Sequence, residues 1–171
     1  MKDVFLVYNT SCFYEIVILN YFMSVTNCNV VFCSPAGEPI RTMEGYSVNV
    51  DTSLDKISLD DVRSFIVPGG NVSVINNETV KDILVKLRGK QTLIAGICAG
   101  VDVLEEAGIL VGIKSTHSTD ADVVNDNHVI TSRANGYVDF AIEVAKELDL
   151  FENEADLQET IDFWKYHKRM Q

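Results

Sequence analysis

The most informative stretch of the sequence is Thr92-Leu-Ile-Ala-Gly-Ile-Cys-Ala-Gly-Val101. Its first part, Leu93 to Ile97, is an apolar run, which is typical of a strand buried on both faces of a parallel sheet. The residues from Val101 to Glu106 have the pattern of an amphipathic helix. A strand, Gly-x-Cys-x-Gly and a helix in this order predict a nucleophile elbow that carries a cysteine.

The turn of this elbow is predicted to lift the Cys98 side chain above the sheet. Gly96 and Gly100 stand two residues to either side, where a Cβ would clash in so tight a turn. Cys98 would lie at a helix N-terminus, where unpaired N–H groups favour a thiolate. A cysteine alone is more often an ordinary buried residue, but the two glycines favour a reactive thiol here.

Composition sets limits on the class of protein. A chain of 171 residues with 47% apolar and 23% charged residues is typical of one globular domain, here residues 1–171. The formal net charge of −11 argues against nucleic acid or an anionic membrane surface as partner.

Targeting and metal signals are weak in this sequence. The N-terminal run Val4–Tyr8 is short for a signal peptide and predicts a first strand, and no run approaches transmembrane length. The four cysteines lack the spacing of metal ligands. They are Cys12, Cys28, Cys33 and Cys98. We expect a cytoplasmic protein with reduced thiols and no metal site.

Strand and helix patterns alternate along the chain. Strands are predicted at Val4–Tyr8, Asn29–Cys33, Ser64–Val67, Leu93–Ile97 and Ile113–Thr116, with hairpins over Ile40–Val50 and Val123–Thr131. Helices are predicted at Phe13–Val25, Leu59–Val62 after a Ser58 cap, Asn77–Leu87, Val101–Glu106, Asn135–Leu148 and Glu154–Lys168. This alternation predicts an α/β fold, a doubly wound, mostly parallel sheet with helices on both faces, as in a flavodoxin-like sandwich.

Four stretches converge at the carboxyl ends of the predicted strands, where such sheets bind ligands. Glu15 follows the first strand, and the Gly69-Gly70 turn follows the strand that ends at Val67. Cys98 occupies the elbow, and His117 follows Ile113–Thr116. The sequence therefore predicts a site built around a thiol at this edge of the sheet.

Catalysis by a thiolate requires donors to an oxyanion and groups that transfer protons, and these residues could provide both. The Ala99 amide and an amide of the Gly69-Gly70 turn could hold an oxyanion. His117 could act as general acid or base, and Glu15, if buried against Cys98, would share one proton with the thiol. Alternatives remain open at this point: an ordinary tight turn, a structural histidine and a carboxylate placed by the helix dipole.

Over nearly its whole length the chain resembles the DJ-1/PfpI (ThiJ) superfamily of class I glutamine-amidotransferase-like folds. The motifs that carry the resemblance are Val67-Pro-Gly-Gly-Asn71, Ile97-Cys-Ala-Gly100, Thr116-His117, and Thr131-Ser-Arg133 followed by the Phe140-Ala-Ile142 helix. The resemblance implies that Cys98 is the reactive cysteine, Glu15 its protonated partner and His117 the nearby histidine. It also implies that Gly70 and Ala99 are the oxyanion donors, and that a homodimer is to be expected.

Details of the motifs bear on the activity that the resemblance implies. PfpI-type peptidases have histidine at the Ala99 position, and isocyanide hydratases have aspartate at the Glu15 position. Glutamine amidotransferases use His-x-Glu, whereas this chain has His117-Ser-Thr119. The remaining set is similar to DJ-1-type proteins, to which glyoxalase III and protein-deglycase activities are attributed. The chain departs from them at Val101-Asp102, where proline is usual, and in a shortened segment before Thr131.

The leading functional hypothesis is a cofactor-independent enzyme that acts on small reactive carbonyls. The Cys98 thiolate would attack an aldehyde such as methylglyoxal, while Glu15 or His117 moves protons until a hydroxy acid leaves. One alternative is a non-enzymatic redox or stress-response protein that senses oxidation at Cys98. Others are a hydrolase like the isocyanide hydratases or amidases, and a small-molecule-binding regulatory domain.

Overall fold

The apolar runs of the sequence form strands in the computed structural model, which describes residues 1–169. The strands are β1 (Lys2–Leu6), β2 (Val30–Ser34), β3 (Ile40–Arg41), β4 (Ser47–Val48), β5 (Thr52–Ser53), β6 (Val62–Val67), β7 (Leu93–Ile97), β8 (Val123–Asp126) and β9 (Val129–Ser132). Seven of them make one sheet of order β5-β2-β1-β6-β7-β9-β8, in which β8 pairs antiparallel with β9 and the other neighbours are parallel. β3 and β4 form a separate hairpin.

Helices cover both faces of this sheet, so the predicted fold class is confirmed. They are α1 (Val17–Val25), α2 (Glu78–Gly89), α3 (Gly100–Glu106), α4 (Tyr137–Glu147) and α5 (Glu154–Trp164). Alternate side chains of β1 enter opposite cores, as the two-residue period of a strand requires. Val4 and Leu6 join the core under α2 and α3, whereas Phe5 joins the core under α1, α4 and α5. No helix within residues 1–169 is long and apolar enough to span a membrane.

The sheet is tied together at its amino edge by a buried ion pair. Asp3 on β1 is fully buried and accepts hydrogen bonds from Arg63 (2.9 Å to Nε) and from the Ser64 hydroxyl (2.8 Å), both on β6. Removing one partner of such a pair leaves a buried charge uncompensated. The pair therefore fixes the pairing of β1 with β6, the two central strands on which the proposed site depends.

One predicted strand is wrong. Residues 113–116 are irregular, and β9 pairs directly with β7. In this loop the Lys114 N–H donates to Asp126 Oδ2 (2.7 Å), and the Thr116 N–H donates to Thr131 Oγ1 (3.0 Å). Because side-chain oxygens accept these amide bonds, the segment lies along the β8–β9 hairpin without joining the sheet.

Other boundaries also differ from the predictions. The Leu59–Val62 helix is absent, since Val62 already begins β6, and a 3₁₀ turn forms earlier, at Leu54–Lys56. The predicted helix from Phe13 is divided into a 3₁₀ turn, Phe13–Glu15, and α1. This division matters because it gives Glu15 a turn of its own, separate from the helix that follows.

The strand order creates a crevice at the carboxyl edge of the sheet. The chain leaves β1 towards β2 on one side, whereas it continues from β6 towards β7 on the other side. In open α/β sheets such a reversal is the usual place for a ligand site. The three segments that follow β1, β6 and β7 therefore meet where the sequence predicts the site.

Candidate active site

The elbow after β7 has the strained geometry that the motif predicts. Cys98 has a φ of +56°, a region that residues with a Cβ rarely adopt. A Cβ added to Gly100 would overlap the carbonyl oxygen of Val67, and one added to Gly96 would lie 2.7 Å from a side-chain carbon of α3. Both glycines are therefore needed for β6, β7 and α3 to approach closely and hold Cys98 in this conformation.

Glu15 lies beside this thiol although it is 83 positions away in the sequence. Its carboxyl is 1% exposed, and Oε2 accepts the N–H of Gly69 at 2.7 Å. A Cβ added to Gly69 would lie 2.9 Å from Glu15 Oε2 and 3.0 Å from Cys98 Sγ. The carboxyl and the thiol thus contact the same small space, which stays open because residue 69 has no side chain.

The two acidic groups affect the ionisation of each other. Burial raises the pKa of Glu15, although the Gly69 N–H partly offsets this effect. Burial and the nearby Glu15 also raise the pKa of Cys98, whereas the Ala99 N–H lowers it. Neighbouring acids that share a site retain one proton between them. Glu15 Oε1 is buried without a hydrogen-bond partner in the described residues.

The two N–H groups of the Gly69-Gly70 turn differ in their hydrogen bonds. The Gly69 N–H is occupied by Glu15, whereas the Gly70 N–H has no protein acceptor within residues 1–169. Gly70 has a φ of +130°, and a Cβ there would overlap the carbonyl oxygen of Thr10. Gly70 is therefore the amide of this turn that is left for a ligand, and the Ala99 amide lies next to the Cys98 sulfur.

His117 contacts α3, the helix that follows the elbow. Its Nδ1 lies 2.9 Å from Glu105 Oε2 and its Nε2 lies 3.4 Å from Asp102 Oδ1, both on α3. Among the described residues the ring makes no hydrogen bond with Cys98. An irregular loop delivers His117, because residues 113–116 are not a strand, and its ring lies against the first turn of α3, four residues after Cys98.

Three residues near the site were not predicted to take part. The Cys12 N–H donates to Gly69 O at 3.0 Å, and burial together with Glu15 raises the pKa of the Cys12 thiol to about 11. Burial and Glu15 also raise the pKa of Tyr14 to about 12, and Glu44 accepts the Tyr14 N–H at 2.8 Å. Only Cys12 had a sequence signal, namely its position in a loop on the same side of the sheet.

No group of three or more His, Cys, Asp or Glu side chains in the described part of the chain is arranged to hold a metal ion. The arrangement provides a thiol, a carboxyl with a raised pKa and two amides. These are the components of nucleophilic chemistry at a carbonyl carbon.

Comparisons with known proteins show which proteins the chain is similar to. A model of the DJ-1/PfpI family matches residues 1–147. Deglycase PH1704 of Pyrococcus horikoshii is 29% identical over 149 residues, which cover 78% of this chain and 90% of that protein. Deglycase TK1284 of Thermococcus kodakarensis is 32% identical over 113 residues, covering 57% and 68%. The structure of the DJ-1 superfamily protein Atu0886 from Agrobacterium tumefaciens is 25% identical, with a TM-score of 0.86 over 98% of this chain and 100% of that one.

Proposed function

Because the chain belongs to the DJ-1/PfpI family, we propose that it is a cofactor-independent, deglycase-like enzyme that acts on small reactive carbonyls through Cys98. The observation that carries the proposal is the pairing of the Cys98 thiol with the buried Glu15 carboxyl around Gly69. Two relatives named deglycases, 29% and 32% identical to the chain, support the class of reaction.

The first step forms a bond between sulfur and carbon. The Cys98 thiolate attacks the aldehyde carbon of a compound such as methylglyoxal, and the carbonyl electron pair moves to oxygen. The amides of Gly70 and Ala99 stabilise this oxyanion. Protonated Glu15 then gives its proton to the oxygen, which leaves a hemithioacetal and a carboxylate. Where an amine has already added to the aldehyde, the thiolate displaces the amine from the resulting carbinolamine and forms the same hemithioacetal.

The second step moves hydrogen from one carbon to the next. The Glu15 carboxylate removes the proton from the carbon bound to sulfur, and reprotonation at the neighbouring carbon gives a thioester of the hydroxy acid. Water then breaks the carbon–sulfur bond and releases lactate and the thiolate. One carbon is oxidised while the other is reduced, so the reaction needs no external oxidant. The proposal assigns these proton transfers to Glu15, since the His117 ring is bonded to Glu105.

The test measures methylglyoxal consumption and lactate formation by freshly reduced protein. We expect turnover by the wild type, none by Cys98→Ala, and a loss of about 100-fold in Glu15→Gln, the scale of a lost general acid or base. His117→Gln should retain activity within about threefold. Cys28→Ala is the matched control, because its thiol lies at the amino edge of the sheet, before β2.

Two outcomes would contradict the proposal. One is the absence of turnover in a protein that is folded and has Cys98 reduced. The other is a Cys98→Ala variant that is as active as the wild type. Circular dichroism and thiol titration of each variant exclude unfolding and oxidation as causes.

A further inference from the structure

The β3–β4 hairpin is bonded to the loop that follows β1. The Thr10 N–H donates to Arg41 O at 2.7 Å, and the Met43 N–H donates to Ser11 O at 3.0 Å. The Arg41 N–H in turn donates to Asn9 Oδ1 at 2.8 Å. These bonds attach a small hairpin outside the main sheet to the segment that leads into the turn of Glu15.

Hydrogen bonds close the tip of this hairpin. Gly45 has a φ of +90°, and its N–H donates to Thr42 O at 3.0 Å. The Tyr46 N–H donates to Thr42 Oγ1 at 3.1 Å, and the Thr42 N–H donates to Tyr46 O at 2.9 Å. These bonds fix the backbone on both sides of Glu44, whose side chain is exposed.

Glu44 reaches across to the turn that carries Glu15. Its Oε1 accepts the N–H of Tyr14 at 2.8 Å. Tyr14 lies inside the 3₁₀ turn Phe13–Glu15, and amides in the first turn of a helix have no acceptor within that helix. The bond therefore fixes this turn at the residue directly before Glu15.

We infer that Glu44 is a positioning residue, whose carboxylate holds the turn that directs Glu15 at Cys98. The inference rests on the role that the proposed function gives to Glu15. It makes the β3–β4 hairpin part of the thiol site, although the hairpin contributes no group that attacks a substrate.

The charges around Glu15 agree with this role. The ionisable groups that face it come from the end of β1, the following loop, the 3₁₀ turn, the hairpin and the elbow. They are Tyr8, Cys12, Tyr14, Glu44 and Cys98. Burial opposes ionisation of Glu44, but the Tyr14 N–H lowers its pKa, while the charge of Glu44 raises the pKa of Glu15. The two pKa values shift in opposite directions, so Glu44 ionises before Glu15 as the pH rises.

The experiment follows alkylation of Cys98 by iodoacetamide from pH 5 to pH 9, with peptide mapping to separate the four cysteines. Glu44→Ala removes the acceptor of the Tyr14 N–H, so the turn no longer holds Glu15 beside the thiol whose pKa it raises. We expect the rate at pH 7 to rise about tenfold, the effect of about one pKa unit, and the profile to move to lower pH. Glu44→Gln keeps an acceptor oxygen and should restore the rate to within about threefold of the wild type.

Two further comparisons separate positioning from general damage. Glu38→Ala is the matched control, since Glu38 is exposed and its side chain makes no hydrogen bond or ion pair within residues 1–169; it should leave the profile unchanged. In a Glu15→Gln background, Glu44→Ala should change the rate less than about twofold, because it acts through Glu15.

The inference is overturned if Glu44→Ala has the wild-type profile or if Glu44→Gln shifts the profile as far as Glu44→Ala does. It is also overturned if Glu44→Ala has the same effect with and without Glu15. Alkylation needs no carbonyl substrate, so failure of the proposed reaction would appear in the lactate assay and not here. Thermal unfolding of each variant confirms that the fold is intact.

Discussion

At the scale of single residues, the geometry of the site depends on glycines, which have no side chain. Gly69 leaves the space in which Glu15 and Cys98 meet, and Gly100 lets α3 approach Val67. The positive φ of Cys98 costs about 1–2 kcal/mol relative to ordinary backbone. The rest of the fold compensates for this strain, because the elbow is bonded on both sides, for example from the Cys98 N–H to Ser132 O at 2.9 Å.

The raised pKa of Glu15 predicts how stability depends on pH. The unfolded chain loses the Glu15 proton near its ordinary pKa of 4.5, whereas the folded protein keeps it to higher pH. The folded state therefore binds more protons, and the contribution of Glu15 to stability falls as pH rises from 4.5 through the folded-state pKa. Glu15→Gln has no such proton, so its free energy of unfolding should increase relative to that of the wild type between pH 4.5 and pH 7.5.

Urea denaturation at these two pH values measures the difference. Glu38→Gln serves as the control, since the Glu38 carboxyl is exposed whereas the Glu15 carboxyl is buried. A difference between Glu15→Gln and the wild type that stays constant with pH, or that shrinks at pH 7.5, would contradict the assignment of a raised pKa.

At the scale of elements, the close packing of β6, β7 and α3 determines the elbow. Helix α3 begins at Gly100, directly against the end of β6, and its side chains enter the core that α2 also covers. The elements with the strongest patterns, such as β7 and α2, lie close to where the sequence predicts them. The segment 113–116 has a strand-like composition, but side-chain acceptors on Asp126 and Thr131 bind its amides, a competition that composition does not reveal.

This packing predicts unequal effects for two Gly→Ala variants. Gly100→Ala places a methyl group on the carbonyl oxygen of Val67, and we expect it to destabilise the protein by about 3 kcal/mol. Gly89→Ala in α2 meets no atom within 4 Å and should be neutral or stabilising by up to about 1 kcal/mol. Urea midpoints compare the two variants, and equal stability would show that α3 can move away from β6 at little cost.

At the scale of the whole molecule, strand order and charge act together. The order β5-β2-β1-β6-β7-β9-β8 brings the segments after β1, β6 and β7 to one edge, which no single element could do. The chain carries 25 acidic and 14 basic residues, so its net charge of −11 opposes the compact state through self-repulsion. Acidic groups also line the thiol site. There the pKa values of Glu15 and Cys98 depend on repulsion between negative charges at short range.

The net charge predicts a stabilising effect of salt. Raising NaCl from 0.01 to 0.15 M shortens the screening length from about 30 Å to about 8 Å, which weakens repulsion between distant carboxylates. We expect the urea midpoint to increase over this range. A decrease would mean that the surface ion pairs, such as Lys2–Asp61, contribute more than the net repulsion does.

The fold class, the elbow and the edge of the sheet at which Glu15 and Cys98 lie follow from the sequence, because hydrophobic periodicity, strand direction and the small-residue requirements of a tight turn are local properties. Tertiary structure alone decided that His117 binds Glu105, that Gly69 bonds Glu15 and leaves the Gly70 amide available, and that Glu44 holds the turn of Tyr14. These contacts join residues 12 to 54 positions apart. They form only when packing of the whole sheet brings loops together, and no local pattern records which loop meets which.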